Sequence, residues 1–285
     1  MVATKHVKAT VPRVGARTVN VYNIQGEAKS QIELPAVFNE EFRPDLIRRA
    51  VTIARANRRQ VYGPKPGAGM RHAVSWPGKG RGMARTPRTH HGSGKGAQSP
   101  NTPGGRRAHP PTVETIWSKS MNHKERRLAR RSALAACADV ETVRARGHIF
   151  KDGITLPIVA ENDFEDLPKI VDDKYQKTNS VPQYVKETAL ILELMGVSSD
   201  VERAQDGTHV RAGRGKMRGR RYRTPKSLLV VVSNRSTIER CFRNMPGVEI
   251  ATPRELNLEM LAPGGDPGRL MVISKKALEA LKGVA

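Results

Sequence analysis

Apolar and polar positions alternate early in the chain, first in Thr18-Val19-Asn20-Val21-Tyr22 and again over residues 30–34 after a turn containing Gly26. A period of two predicts a short hairpin or two edge strands. Pro35 stops the pattern, and from Pro44 the period becomes helical. Proline suits a first helical turn because the helix leaves that amide unpaired, and Asp45 favours the positive end of the helix dipole. Leu46, Ile47, Ala50, Val51 and Ala54 form the apolar stripe, while Arg48, Arg49, Arg55, Arg58 and Arg59 occupy the other face. Later, Asn122 followed by Glu125 reads as a capping box. The helix it opens has Leu128, Ala129, Ser132, Ala135 and Ala136 on one face and Arg126, Arg127, Arg130 and Arg131 on the exposed side. Pro182 begins a helix over 184–195, closed by Gly196.

The last third alternates strand and helix. Residues 228–232 form a continuous apolar run, as buried parallel strands do. A helix from Thr237, a strand over 248–251, a short helix after Pro253 and a strand over 270–273 follow, and Ser274 caps a last helix ending at Gly283. This order predicts an α/β fold, a largely parallel sheet flanked by helices. Helix-rich sequence between the strands favours one globular domain over two.

Residues 57–110 break these rules. They contain eleven Gly and seven Pro, and Val61 and Val74 are their only branched aliphatic residues. Such a stretch cannot bury enough apolar surface to offset its conformational entropy and is expected to be disordered in isolation. It also holds eleven Lys and Arg, four His and no acid. A long irregular loop inserted in a compact domain points to function. The expected organisation is a basic tail over 1–17, a globular α/β domain built from 18–56 and 111–285, and an extended loop over 57–110.

Charge sharpens this picture. Residues 46–113 carry fourteen Lys and Arg without an acid, and residues 207–238 carry nine more, again without one. Together these stretches account for the whole formal net charge of +23, and elsewhere 27 basic residues face 27 acidic ones. Cations segregated in this way suit a polyphosphate, because each one that meets a phosphate releases condensed counterions. Nucleic acid is therefore the first partner to consider. Only 4% of residues are aromatic, so stacking on bases is not the main expected mode.

Other chemistry is weakly supported. Gly213-Arg214-Gly215-Lys216-Met217-Arg218-Gly219 resembles a phosphate-cradling loop, but no Ser or Thr follows Lys216 and no buried strand precedes it. With Arg220, Arg221, Tyr222 and Arg223 it reads better as a basic RNA-contact loop. His90-His91 lacks acid or thiolate neighbours, and Cys137 and Cys241 lack ligand spacing, so no metal site is expected. Pro263-Gly264-Gly265-Asp266-Pro267-Gly268 reads as a turn between core elements. The acids Asp163, Glu165 and Asp166 read as a solvated loop or helix start. No nucleophile–base or paired-carboxylate arrangement emerges. No apolar run is long enough to span a membrane, and the N-terminus lacks the apolar core of a signal peptide. The chain reads as a reduced, cytosolic, soluble protein.

Several runs carry a more specific signal. Glu33-Leu34-Pro35-Ala36-Val37-Phe38, Arg43-Pro44-Asp45-Leu46-Ile47, Ala56-Asn57-Arg58-Arg59-Gln60, Gly80-Arg81-Gly82-Met83-Ala84-Arg85 and Gly105-Arg106-Arg107-Ala108-His109-Pro110-Pro111 resemble large-subunit ribosomal protein four in its archaeal form. The likeness continues through Lys124-Glu125-Arg126-Arg127-Leu128, Arg146-Gly147-His148, Asp163-Phe164-Glu165-Asp166-Leu167, Gly215-Lys216-Met217-Arg218-Gly219-Arg220-Arg221-Tyr222 and Leu261-Ala262-Pro263-Gly264-Gly265. The family implies a non-enzymatic constituent of the large ribosomal subunit, anchored in 23S-type rRNA among neighbouring ribosomal proteins. Its loop penetrates the RNA, and the loop tip lines the exit tunnel beside the nascent polypeptide. The rRNA-binding residues implied are Arg48, Arg49, Arg55, Arg58, Arg59, Arg71, Lys79, Arg81, Arg85, Arg88, Arg106, Arg107, His109, Arg214, Lys216, Arg218, Arg220, Arg221, Tyr222 and Arg223. Met70, Arg71, Trp76 and Arg81 fall at the tip. No cofactor, small-molecule substrate or membrane partner is implied, and magnesium is expected only on nearby rRNA. Composition alone leaves a DNA-binding protein and an α/β enzyme as alternatives.

Overall fold

The computed structural model describes residues 17–90, 94–177 and 182–284. The basic tail, apart from Arg17, and His91 lie outside these residues. The chain divides into two compact units, one built from residues up to Ala54 and from Ser120 onward, the other from Arg55–Lys119.

In chain order the strands are β1 (Thr18–Tyr22), β2 (Ala28–Glu33), β3 (Val74–Ser75), β4 (Arg88–Thr89), β5 (Ile158–Ala160), β6 (His209–Val210), β7 (Tyr222–Arg223), β8 (Leu229–Val231), β9 (Glu249–Ala251) and β10 (Met271–Ser274). The helices are α1 (Pro44–Asn57), α2 (His123–Cys137), α3 (Val140–Ala145), α4 (Leu167–Lys177), α5 (Tyr184–Leu194), α6 (Ser198–Asp206), α7 (Arg235–Phe242), α8 (Leu258–Leu261) and α9 (Lys275–Val284).

The first unit is built on a six-stranded sheet in the order β2-β1-β5-β10-β8-β9. All neighbours are parallel except the β1–β2 hairpin at one edge. Both faces are covered, which explains why β8 reads as an unbroken apolar run. Side-chain alternation sends Val21, Val159, Leu229, Val231, Met271 and Ile273 to one face, against α1, α2, α8 and α9. Ile158, Leu228, Val230, Val232, Leu270 and Val272 go to the other, against Phe164, Leu192, Ile238 and Phe242. This is the α/β architecture expected from the sequence.

Local details differ from that reading. Strand β5 sits between β1 and β10 yet contains only three residues, too few for a period to register. Helix α7 begins at Arg235, two residues before Thr237, because Asn234 accepts from the Ser236 amide. At α2, Asn122 accepts from the Lys124 amide, while Glu125 pairs with Arg49 at 3.4 Å. The final helix does begin as expected, with Ser274 Oγ accepting from the Ala277 amide at 3.1 Å.

Polar groups lock the core. Arg269 is wholly buried and donates to the carbonyls of Ser227 (2.9 Å), Leu228 (3.2 Å), Gly247 (3.2 Å) and Met260 (2.9 Å), and to Glu249. Burial pushes the Glu249 carboxyl up, but Arg269 and Lys226 outweigh it and hold the group below its usual range. Asp200, also buried, accepts from His148 Nδ1 at 3.0 Å, Arg203 Nε at 3.0 Å and the Ile149 amide at 3.1 Å. At the C-terminal ends of β5, β8 and β10, Glu165 accepts from the Ser233 amide (2.7 Å) and from the hydroxyls of Ser233 and Ser274. Open α/β sheets commonly place ligands at that end of the strands. Here the protein's own carboxylate occupies it, so Glu165 is a buried tie, unlike the solvated acid expected from the sequence.

Candidate nucleic-acid interface

Three elements carry the exposed cations: α1, the Arg55–Lys119 unit and the hairpin of β6 and β7. On α1, Ile47, Ala50 and Val51 are buried and Arg48, Arg49 and Arg55 point outward. The helix lacks acids beyond Asp45, but the fold supplies them: Arg48 lies 3.3 Å from Asp266 and Arg49 lies 3.4 Å from Glu125. Exposed pairs of this kind contribute little stability and leave the guanidinium groups able to exchange partners.

The second element is the Arg55–Lys119 unit. Its two ends are tied together by Asn57, whose side chain donates to the Lys119 carbonyl at 3.1 Å and accepts from the Lys119 amide at 2.8 Å. Beside this pair, Trp117 carries the Arg59 guanidinium 3.6 Å from its ring centroid and stacks with Tyr62 at 6.3 Å and an interplanar angle of 10°. Arg59 is therefore held by an aromatic face within its own unit. The segment beyond has hydrogen-bonded turns but hardly any core. Among the described residues of 57–110, only Pro77, Pro87 and Ala97 are buried. Strands β3 and β4 pair over two residues each, and Gln98 Nε2 donates to the carbonyls of Met70 (3.0 Å) and His72 (2.6 Å), drawing another pass alongside. Gly69 has φ +77°, and a Cβ there would stand 2.4 Å from the Arg106 amide nitrogen. The backbones approach so closely that only glycine fits.

The expected contact residues Arg58, Arg71, Lys79, Arg81, Arg85, Arg106, Arg107 and His109 are all exposed here, as are Met70 and Trp76. Arg88 differs: it is half-buried and donates to the Gly94 carbonyl at 2.9 Å. Its charge shapes the turn as well as the surface.

The third element is the hairpin formed by β6 and β7. Arg214, Lys216, Arg218, Arg220, Arg221, Tyr222 and Arg223 are all exposed along it. The amides of Lys216, Arg218 and Arg220 donate to carbonyls of Gly213 and Gly215 at 3.1–3.3 Å. Amides bonded within the loop cannot cradle a nucleotide phosphate as a Walker loop does, so the hairpin presents cationic side chains rather than backbone donors. The Pro263–Gly265 turn has a local role: Arg146 donates to the Pro263 carbonyl at 2.7 Å and to the Asp266 carbonyl.

Sequence reasoning missed the groups that organise these elements. Asn57 and Lys119 are 62 positions apart and carry no local signal. Gln98 adopts φ +63° without being glycine, which composition does not mark. Trp117 belongs to no periodic segment. Among the described residues no group of three or more His, Cys, Asp or Glu could hold a metal ion, and no helix is long and apolar enough to cross a membrane. Burial pushes the Cys137 thiol up to about 11, which keeps it protonated and unreactive.

A filled sheet edge, cores closed on both faces and cations gathered on a segment and a hairpin with almost no core define a basic α/β protein. The chain belongs to the Ribosomal protein L4/L1 family, whose model matches residues 32–284. It is 46% identical over 259 residues to the large ribosomal subunit protein uL4 of Halorubrum lacusprofundi, covering 91% of this chain and 96% of that protein. The uL4 protein of Methanocaldococcus jannaschii is 47% identical over 262 residues (92% and 97%), and that of Methanococcoides burtonii is 45% identical over 268 (94% and 98%). The chain is thus a ribosomal protein of archaeal type and not an enzyme.

Proposed function

We propose that this chain is a structural constituent of the large ribosomal subunit that binds 23S-type rRNA, supports subunit assembly and lines part of the polypeptide exit tunnel. Relatives that match it almost end to end are named large ribosomal subunit protein uL4, and that supports its place in the particle. The observation that carries the RNA reading is the charge: its entire net excess lies in two acid-free stretches, and most of their cations are exposed.

The contact residues are Arg48, Arg49 and Arg55 on α1, then Arg58, Arg59, Arg71, Lys79, Arg81, Arg85, Arg88, Arg106, Arg107 and His109 in the segment, and Arg214, Lys216, Arg218, Arg220, Arg221, Tyr222 and Arg223 on the hairpin. Arginine suits them because its planar fork grips phosphate through two donors and stacks on bases. Met70, Arg71, Trp76 and Arg81 face the nascent chain. Prolines pre-extend the 57–110 segment and reduce the entropy lost when it orders on RNA. Partners are the rRNA, neighbouring large-subunit proteins and the growing polypeptide. No cofactor takes part, and the relevant magnesium belongs to the rRNA.

The test is sedimentation of the protein in cell extracts at moderate and then high salt. A segment threaded through rRNA stays with the large subunit through a high-salt wash, whereas attraction confined to the surface is screened away. Release in high salt, or a position at the top of the gradient, overturns the interior placement.

A further inference from the structure

Tyr62 and Trp117, two of the chain's few aromatic residues, meet at the base of the 57–110 segment. Gly63 brings two passes of the chain together there, since a Cβ on it would stand 2.7 Å from the Pro111 carbonyl oxygen and 3.4 Å from Val113 Cγ1. Trp117 is half-buried, and its Nε1 is buried without an acceptor among the described residues. No hydrogen bond fixes the indole, so its faces do: the Arg59 guanidinium lies 3.6 Å from its centroid, and Tyr62 stacks nearly parallel to it. The 6.3 Å between the ring centroids is toward the long end for offset-stacked pairs, so the rings overlap only in part. Tyr62 remains 54% exposed, and Val61, Val113 and Ile116 are exposed on the same two passes. Trp76 and Tyr222 are exposed too, but neither stacks on a second ring among the described residues.

The charge around these rings narrows what they can take. Residues 55–119 carry thirteen Lys and Arg and a single acid, Glu114. Arg58, Arg59, Lys65 and Lys119 are all exposed. A purely apolar partner would cover the rings but strip water from cations, and a cationic one would be repelled. An acidic polypeptide would answer the charge, but rings stacked within 10° of parallel suit a planar group better than branched side chains. Phosphate alone makes no use of the rings. A nucleotide with an unpaired base satisfies both features, because the base offers a flat apolar face while its phosphates meet the cations. We propose that Tyr62 stacks on an unpaired nucleobase of large-subunit rRNA, extending the column of Arg59, Trp117 and Tyr62 by one member. Tyr62 touches the base, and Trp117 and Arg59 position Tyr62. The site rests on the RNA reading above and extends it from phosphate to base, through two rings outside the set of contact residues given there.

Ultraviolet crosslinking tests this on the unaltered full chain, both bound to large-subunit rRNA and within purified large subunits. Light joins an aromatic ring to a base where the two are in contact, so digestion and mass spectrometry should find a nucleotide on Tyr62. Affinity supplies a second readout. Tyr62→Leu keeps an apolar side chain but loses the flat ring, and should bind the rRNA roughly 5- to 150-fold more weakly, the range for one lost stacked base. The slope of log affinity against log salt should stay at the parent's value, because no phosphate contact is removed. Tyr62→Phe keeps the ring and should bind as the parent does. The stacking site is overturned by the absence of a nucleotide on Tyr62, by a peptide joined to Tyr62 in its place, or by a Leu variant that binds like the parent. A Phe variant as weak as the Leu variant overturns it too, as does a lower salt slope in Tyr62→Leu, which would mean that the ring serves a phosphate contact. If the unaltered chain neither binds the rRNA nor sediments with the large subunit, the function proposed above fails with it. Binding without a nucleotide on Tyr62 removes the stacking site alone.

Discussion

Among single residues, Arg269 and Asp200 have most to lose by substitution, since each is a buried charge whose partners are fixed. Arg269→Ala strands Glu249 and frees carbonyls of Ser227, Leu228, Gly247 and Met260 that now share one guanidinium. Removing one partner of a buried ion pair typically costs about 3–5 kcal/mol, and denaturant unfolding of the purified protein checks that magnitude. A loss below about 1 kcal/mol would mean that the site relaxes or admits water. Asp200 adds a pH dependence. Burial pushes its carboxyl up, but hydrogen bonds and charge from His148, Arg203 and the Ile149 amide prevail and hold it below the ordinary range. A carboxylate depressed by folding stabilises fully above its unfolded value near 4, and loses that contribution as pH falls through the lower folded value. Asp200→Asn should therefore be less stable than the parent at pH 7, with the gap narrowing toward pH 3. A gap independent of pH would assign the loss to packing instead.

The elements show where the sequence was readable. Segments that span several periods were legible: the β1–β2 hairpin, α1, α2 and the alternating last third follow from spacing and caps, because each local pattern agrees with the packed face it serves. Strand β5 was hidden by its three-residue length, and α7 began earlier than its apolar positions suggested because Asn234 caps it. The interface was legible as composition but not as geometry. Acid-free, glycine-rich sequence marks 57–110, yet the Asn57–Lys119 bonds and the Arg59–Trp117–Tyr62 stack join residues about sixty positions apart. Those interactions belong to the base of the segment, so they should govern how firmly its ends are held. Asn57→Ala removes two exposed hydrogen bonds of roughly 0.5–1.5 kcal/mol each. Trp117→Ala removes both ring interactions. Trypsin should then cut near Arg58 and Lys119 faster in either variant, while hydrogen exchange in β8 and β10 stays as slow as in the parent. Faster exchange in those strands would show that the base of the segment also supports the sheet.

For the whole molecule, the decisive feature is the separation of stability from charge. Among the described residues, the apolar side chains that define the two cores come from the six-stranded sheet, the helices packed on it and the loops that join them, with none drawn from 57–110. Among its described residues the segment in turn buries only Pro77, Pro87 and Ala97. A protein organised this way can be shortened in its basic segment and keep its fold, because little packed apolar surface goes with the excised residues and shortening a flexible connection changes closure entropy only slowly. Deleting residues 71–88 therefore separates the two roles. The purified deletant should unfold with a denaturant midpoint close to that of the parent, since the sheet and both cores remain. In cells it should give fewer large subunits, or subunits whose exit tunnel handles nascent chains differently. The deletion removes Arg71, Lys79, Arg81, Arg85 and Arg88 together with Trp76. Every phosphate that the deletant leaves unneutralised also lowers the salt dependence of rRNA binding, by close to one unit of slope per phosphate on a duplex. Binding of the full chain and the deletant to large-subunit rRNA across a salt series measures that difference directly. A slope unchanged by the deletion, with normal ribosome profiles, would remove these five cations from the RNA interface and leave α1, the remaining cations of the segment and the hairpin of β6 and β7 to carry it. A deletant that unfolds at much lower denaturant would instead show that the segment stabilises the sheet through interactions beyond the two cores.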